Sequence, residues 1–417
     1  MMINKYKFSD IVIGEEGLLK GPFGSDLKRS LYVPKSDDTY KVYLQENILK
    51  QDNSVGTHYI SKDYYDKSMY RYAVKENDFV VTCDGTLGEI FQLKNLTEKG
   101  IISSSLLRIT LNNDLIDYDF FYYFFKQKMK KALITSANNS VLKHLPGLGF
   151  IRNFEIEIPD LPTQKKIANV LSCIDDKIVL NNKTNTELEN MAKTIYDYWF
   201  TQFDFPDKNG HPYKTSGGQM VYNETLKREI PAGWEVGKLS EIANITMGQS
   251  PDGESYNEDG NGTIFYQGST DFGNRSPSIR VYTTAPTRFA KKNDILMSVR
   301  APVGTLNIAN TDCCIGRGLA ALNSKSNSIS YLYCVMRNFQ RQFEVLDSIG
   351  TTFGSITKDD LFGLQVIIPP QDIIENFCKI GNEIFKEQSR IDEENTELTK
   401  LRDYLLPLLM NGQIEVK

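Results

Sequence analysis

The chain has 417 residues, 40% hydrophobic and 24% charged, with a formal net charge of -5. That is enough for two or three domains with real cores, and it excludes the disordered and collagen-like classes. No run of about 18 apolar residues occurs, and Met1–Tyr6 carries no apolar stretch of the secretory kind, so no membrane span and a cytoplasmic location are expected. Six cysteines form no C-x-x-C pair and only three histidines accompany them, which argues against a disulfide framework or a structural metal site and for reduced, mostly buried thiols. The negative charge is unevenly placed: residues 160–200 sum to -1, residues 371–417 to -4, and the rest to zero. Net charge therefore neither supports nor excludes a nucleic-acid partner, since one face can still concentrate Lys and Arg.

Along the chain, a glycine-rich turn comes first, Gly21-Pro22-Phe23-Gly24-Ser25, followed by Lys28 and Arg29. The segment Lys75-Glu76-Asn77-Asp78-Phe79-Val80-Val81 then runs into a short apolar stretch that reads as a strand, with Gly88 beyond it. Phe120 to Phe125 are all aromatic and precede Lys126, Lys128, Lys130 and Lys131. This pattern predicts a core helix with a basic outer face; the alternative is a stacking platform for single strands. A polar stretch, Thr135 to Ser140 with Lys143, leads to the strand Phe154–Pro159. Such small residues either let backbone amides and hydroxyls approach phosphates closely or form a plain surface loop.

The same order then repeats. Lys291-Lys292-Asn293-Asp294-Ile295-Leu296-Met297 restates Lys75–Val81 216 positions later, and Gly304 restates Gly88. Leu364–Pro369 restates Phe154–Pro159 at an offset of 210. The second copy opens with Gly248-Gln249-Ser250-Pro251 and Gln267-Gly268-Ser269, has Tyr331-Leu332-Tyr333 beside Arg337 and Arg341, and carries its own polar stretch, Gly350 to Ser355 with Thr357 and Lys358. The landmarks are shared while the sequences between them differ. Such a duplication provides two related but non-identical surfaces, related here by an expected pseudo-two-fold.

Each closing strand runs into a helical segment. Ile167, Leu171, Ile174, Ile178, Asn181, Asn185, Leu188, Ala192, Ile195 and Trp199 follow steps of four and three. In the second segment Phe377, Ile384, Ile391, Leu398 and Leu405 recur every seven residues, interleaved with Ile373, Ile380, Glu387, Glu394, Leu401 and Leu408, and an end is expected at Leu406-Pro407-Leu408 and Asn411-Gly412. Helices of this length outrun one small globule, so the pattern predicts an antiparallel coiled coil with a polar middle that fixes register; the alternative is that each helix packs on its own globule. The fold class expected is mixed α+β, with boundaries at residues 1–159, 160–204, 205–369 and 370–417.

Signatures of catalysis are missing. The sequence has no G-x-x-x-x-G-K-[ST] loop and no dinucleotide glycine fingerprint, and it lacks the N-P-P-[YF] or D-P-P-Y tetrapeptide of amino-methyltransferases. Pro159-Asp160 with Asp175-Asp176-Lys177 formally fits a loose nuclease pattern but falls on the heptad helix. No catalytic or metal-binding residue is expected in this chain.

Ile158-Pro159-Asp160-Leu161-Pro162-Thr163-Gln164, Asp175-Asp176-Lys177-Ile178 and Trp199-Phe200 combine with the second-half landmarks Arg300-Ala301-Pro302-Val303-Gly304, Cys314 to Ala321, and Leu401 to Pro407. In this order the chain resembles the specificity subunits of type I restriction–modification systems. The resemblance implies that each globule is a target recognition domain reading one half of a split, asymmetric sequence in double-stranded DNA, with the helices setting the unspecified spacer. It implies two modification subunits as partners, which carry S-adenosylmethionine, and restriction subunits that use ATP and Mg, with no cofactor on this chain. Motif position then makes Ser25, Lys28, Arg29, Ser140 and Lys143 the candidate DNA contacts of the first domain. In the second they are Gln249, Ser250, Gln267, Ser269, Arg275, Arg300, Arg317, Thr352, Ser355 and Lys358. A non-catalytic coiled-coil adaptor that binds proteins through its globules is the alternative.

Overall fold

Strand pairings in the computed structural model, which describes residues 3–137, 145, 147–348 and 354–416, repeat nearly one for one between two halves. Two compact units form, Met1–Lys177 with Leu398–Lys417, and Ile178–Glu397. The boundary between them falls inside both long helices, so packing divides the chain elsewhere than the globule–helix boundaries read from sequence.

In the first unit, Ile3–Lys7 pairs antiparallel with Glu155–Pro159. A four-stranded antiparallel sheet has the order Leu18–Lys20, Leu106–Ile109, Phe79–Thr82, Ile90–Gln92. A smaller sheet sets Thr39–Tyr43 between antiparallel Tyr59–Ser61 and parallel Gly100–Ile102. The second unit has the same parts. Glu235–Lys238 pairs with Gln365–Ile368, and the four-stranded sheet is Ala243–Met247, Leu319–Ser324, Ile295–Ser298, Leu306–Ile308. Its smaller sheet, now five-stranded, again contains one parallel pair, Thr263–Tyr266 with Cys313–Ile315. Among the described residues, a hairpin of Met220–Asn223 and Arg228–Pro231 occurs in the second unit alone.

The repeated segment before the central strand owes its shape to three side chains. Asn77 and Asn293 adopt φ of 68° and 74°, a conformation Asn tolerates better than most residues. The next residue closes the turn: the Lys75 N–H donates to Asp78 Oδ2 (2.7 Å), and the Lys291 N–H to Asp294 Oδ2 (2.8 Å). Burial raises both aspartate carboxyls above the ordinary range while these hydrogen bonds oppose it. At the strand's far end the Thr82 and Ser298 hydroxyls each close a second turn, accepting the N–H of Glu89 (3.0 Å) and Thr305 (2.9 Å). Gly88 and Gly304, at φ of 74° and 88°, complete it beneath a helix; a Cβ on Gly304 would lie 2.6 Å from Phe343 Cδ2.

The core reading of the aromatic cluster prevails over the stacking platform. Phe120, Phe121, Tyr123, Phe124 and Phe125 are buried behind the first unit's main sheet, and Tyr331, Leu332 and Tyr333 in the second. Five of the six cysteines are buried and free, with Cys173 exposed. Burial pushes the Cys83 and Cys313 thiols up to about 12.

The central helix, Leu161–Tyr196, starts at the motif that the sequence singled out. Asp160 Oδ1 accepts the Thr163 N–H (3.1 Å), and the Gln164 side chain donates to the Leu115 and Pro159 carbonyls and accepts from the Asp117 N–H. The distal helix, Gln371–Met410, lacks that clasp. Pro407 sits inside its last turn, and Gly412 (φ 65°) ends it. In the second unit the two helices run antiparallel. Asn181 donates to Glu394 Oε2 (3.1 Å) and Asn395 Oδ1 (2.9 Å), Asn185 donates to Asp392 Oδ1 (2.8 Å), and the Gln388 amide donates to the Asn185 carbonyl (3.2 Å). In the first unit Arg402 Nη1 donates to Asp175 Oδ1 (2.9 Å).

One part of the seam is displaced. Phe377, Ile384 and Ile391 are buried as expected, but Ile380 and Leu401 are exposed and Glu387 pairs with Arg390 at the surface. The residues buried beside the seam are instead Ile374, Cys378, Phe385 and Gln388. Around Ile380 and Glu387 the reason is that the helix also packs on its own globule, where Phe385 meets Tyr333 edge-on and Ser330 donates to Asn382. Both packing modes considered from sequence are present in the second unit.

Gly304→Ala is expected to lower the unfolding free energy by about 1–3 kcal/mol, through the positive φ and the clash with Phe343. Gly253→Ala, where a Cβ meets nothing within 4 Å, should change it by less than about 0.5 kcal/mol. Denaturant titration of both variants checks this.

Candidate nucleic-acid interface

In the second unit one end of the main sheet gathers five loops through backbone hydrogen bonds. Gly248 donates to the Leu319 carbonyl (2.9 Å), Gln249 to Ile315 (3.0 Å), Gly316 to Tyr266 (2.8 Å), Val299 to Gly318 (2.9 Å) and Ile356 to Val299 (3.0 Å). The Arg317 N–H donates to Ser250 Oγ (3.3 Å), and Arg300 bridges to Ser355. Glycine is required where the loops meet: a Cβ on Gly248 would lie 2.2 Å from the Gly316 carbonyl oxygen, and one on Gly318 2.8 Å from that of Gln267.

This junction brings together Gln249, Ser250, Gln267, Arg300, Arg317 and Ser355, of which all but half-buried Ser250 are exposed. Ser269 opens the turn Ser269–Asp271, whose buried Asp271 accepts the Gln267 N–H (3.1 Å) and Arg280 Nε (2.7 Å). Lys358 begins the helix Lys358–Phe362 two residues beyond Ile356, with its ammonium 5.2 Å from the Phe362 ring. Two amides and two guanidiniums on a backbone fixed by glycine contacts suit base edges, while Lys and Ser suit phosphate oxygens. Sequence reading missed exposed Arg288, whose carbonyl accepts the Ile315 N–H (2.9 Å) at the same junction. Its only signal was position, after Thr287, whose hydroxyl donates to the Gln249 carbonyl.

The first unit builds the same loop. Gly21 donates to Leu106 (2.9 Å) as Gly248 does to Leu319, and Ser25, Lys28 and Arg29 follow, all exposed. Ser25 Oγ donates to Asp26 Oδ1 (3.1 Å). Ser140, Lys143 and Thr352 lie outside the described residues.

Arg275 is a correction. It is buried, with its guanidinium 4.5 Å from the Phe385 ring and 6.0 Å from Tyr333, and its Nε 3.6 Å from Asp392 Oδ2. It therefore holds a globule loop to the distal helix and offers nothing to a phosphate. Burial pushes the Asp392 carboxyl above the usual range against the pull of Arg275. The loose nuclease set also finds structural employment: Asp160 caps the central helix, and Asp175 accepts from the Tyr123 hydroxyl (2.6 Å) and from Arg402. No group of three or more His, Cys, Asp or Glu suited to a metal ion occurs among the described residues.

A model of the family described as type I restriction modification DNA specificity domain matches the chain in two segments, residues 30–190 and 231–404. The chain belongs to that family. Among the relatives of this family member, a Methanocaldococcus jannaschii protein described as the MjaX type I restriction enzyme specificity subunit is 33% identical over 301 residues, 70% of this chain. The match spans 65% of that relative, a little under two thirds. The MjaIX specificity subunit of the same organism is 29% identical over 74% of this chain and 72% of its own length. The crystal structure of a type I restriction–modification S subunit from M. genitalium covers 98% of this chain and 96% of its own, with a TM-score of 0.52 and 18% identity, and shares its fold.

Replacing Arg275 by Met should cost about 3 kcal/mol of stability, because Asp392 is left partly buried without its cation. Chemical denaturation measures it; a change within 0.5 kcal/mol or so would mean that the pair contributes nothing.

Proposed function

We propose that this chain is the DNA-specificity subunit of a type I restriction–modification complex, without catalysis of its own. It reads a bipartite, asymmetric duplex sequence and directs adenine methylation or restriction by partner subunits. The observation that carries this is a single loop-and-strand scaffold, built twice, whose loops expose different side chains, Ser25, Lys28 and Arg29 in one copy and Gln249, Gln267 and Arg317 in the other. Membership of the DNA-specificity family supports it. Phosphate contacts from Lys28 and Lys358 would set the register, after which Arg300, Arg317, Gln249 and Gln267 would read base edges, Arg to guanine and Gln to adenine. Two globules on one chain need only modest affinity each, since the second contact is intramolecular. Two modification subunits would supply S-adenosylmethionine, and restriction subunits would supply ATP- and Mg-dependent steps.

Exchange of residues 1–159 for the matching region of a relative is expected to change one half of the methylated motif and leave the other intact. Methylation mapping of the assembled complex reads the outcome. A change in both halves, or in neither, would reject independent readers. No sequence-selective DNA retention even with the modification partner supplied would favour the protein-binding adaptor.

The helices are proposed to set the spacer. Inserting one heptad into each, near Asn182 and near Glu394, adds about 10 Å of helix while keeping the seam period. Duplex DNA rises about 3.4 Å per base pair, so the unspecified spacer should lengthen by about three base pairs with both half-sites unchanged. Methylation at an unaltered spacing would show that something else measures the distance.

A further inference from the structure

Phe23 is the most exposed large apolar side chain among the described residues, at 81%. Its surroundings do not suggest an idle loop. Gly21 is wedged against the connection between strands Gly100–Ile102 and Leu106–Ile109, where a Cβ would lie 1.9 Å from the Ser103 carbonyl oxygen. Pro22 is buried, and the Phe23 carbonyl accepts the N–H groups of Asp26 (2.9 Å) and Leu27 (3.3 Å). Leu27 is buried in the cluster of Val42, Ile60, Met69 and Ile101, and the Tyr64 hydroxyl donates to the Asp26 carbonyl. Backbone on both sides of the ring is thus fixed while the ring itself stands in water. Holding an apolar group rigidly in solvent gives no folding benefit, but it reduces the ordering cost when a partner covers it.

We propose that Phe23 is a specificity-determining residue of the first globule, making an apolar contact with the C5-methyl group of a thymine in the major groove. The proposal rests on the DNA-reading function above. Exposed cations flank the ring along the chain, Lys20 on one side and Lys28 and Arg29 on the other, and these suit the phosphates that border a groove. The thymine methyl is the apolar group that base edges present there, and Phe is among the side chains that suit it. Insertion of the ring between base pairs would require unstacking, usually with strong bending of the duplex; a methyl contact requires only surface complementarity. The second globule makes the contrast. After Gly248, the counterpart of Gly21, it offers Gln249 and Ser250, which hydrogen-bond. The two readers thus offer opposite chemistry from one loop.

The test uses the full chain assembled with its modification subunits, and duplexes carrying the motif mapped by methylation. Each thymine of the first half-site, on either strand, is replaced in turn by deoxyuridine, which removes only the methyl. Wild type should lose about fourfold in affinity at one position, the worth of one buried methyl. Phe23→Ala should bind the unmodified site several-fold more weakly and show no further loss at that position, while responding like wild type to changes in the second half-site. Equal uracil sensitivity in the variant, unchanged cognate affinity, or a first half-site without thymine would overturn the proposal. So would a variant that assembles poorly with the modification subunits yet binds DNA normally once assembled, because that places Phe23 at a protein contact. A wild-type complex with no preference for the mapped site over scrambled duplex would instead remove the DNA-reading function itself.

Discussion

One carboxylate ties helix register to globule position in the second unit. Asp392 accepts from Asn185 on the other helix (2.8 Å) and from Ser276 on the globule (3.2 Å), and faces Arg275 from the same loop. Sliding the helices by one turn would break the first contact, and rotating the distal helix would break the other two. Apolar seams tolerate slippage, because one Leu or Ile layer resembles the next; buried polar groups do not, since each misplaced donor or acceptor is left without a partner. Asn181, Asn395 and Gln388 add further hydrogen bonds of the same kind on neighbouring turns. Stability is sacrificed at the middle of the helix pair for a single register, and the Arg275–Ser276 loop of the second globule is tied to that register through Asp392.

Most of the fold was legible because its signals are periodic and repeated. The row Phe377, Ile384, Ile391 could be read from a seven-residue recurrence, and the central strands from Phe79–Val81 and Ile295–Met297 lying in the same turn context. The interleaved row was misjudged at Ile380, where heptad spacing assumes that a helix has one neighbour. Here the distal helix has two, and Gly381 marks the second: a Cβ there would lie 2.7 Å from Ser330 Oγ. The aromatic run Phe120–Phe125 was legible as a core helix, and five of those residues are buried behind a sheet in which Phe79–Thr82 is a central strand.

The candidate interface was legible in its glycines and much less so in its side chains. Gly21 and Gly248 point to places where two backbones nearly touch, and sequence shows this directly because no other residue fits. Which neighbouring cation faces outward depends on tertiary packing. Arg275 and Arg317 look alike in sequence; one lies over Phe385 beside Asp392, while the other is exposed at a loop tip. Phe23 was no more legible, since nothing in its sequence context distinguishes an exposed Phe from a buried one.

The distribution of thiols has a practical chemical consequence. Five cysteines lie within cores, and burial disfavours ionisation at Cys83, Cys313 and Cys334, so the thiolate that attacks an electrophile is scarce at those positions. Cys173 is exposed, on the central helix, twelve residues after that helix begins. The native chain therefore carries its own attachment point for a fluorophore or spin label on that helix, available without any engineered substitution.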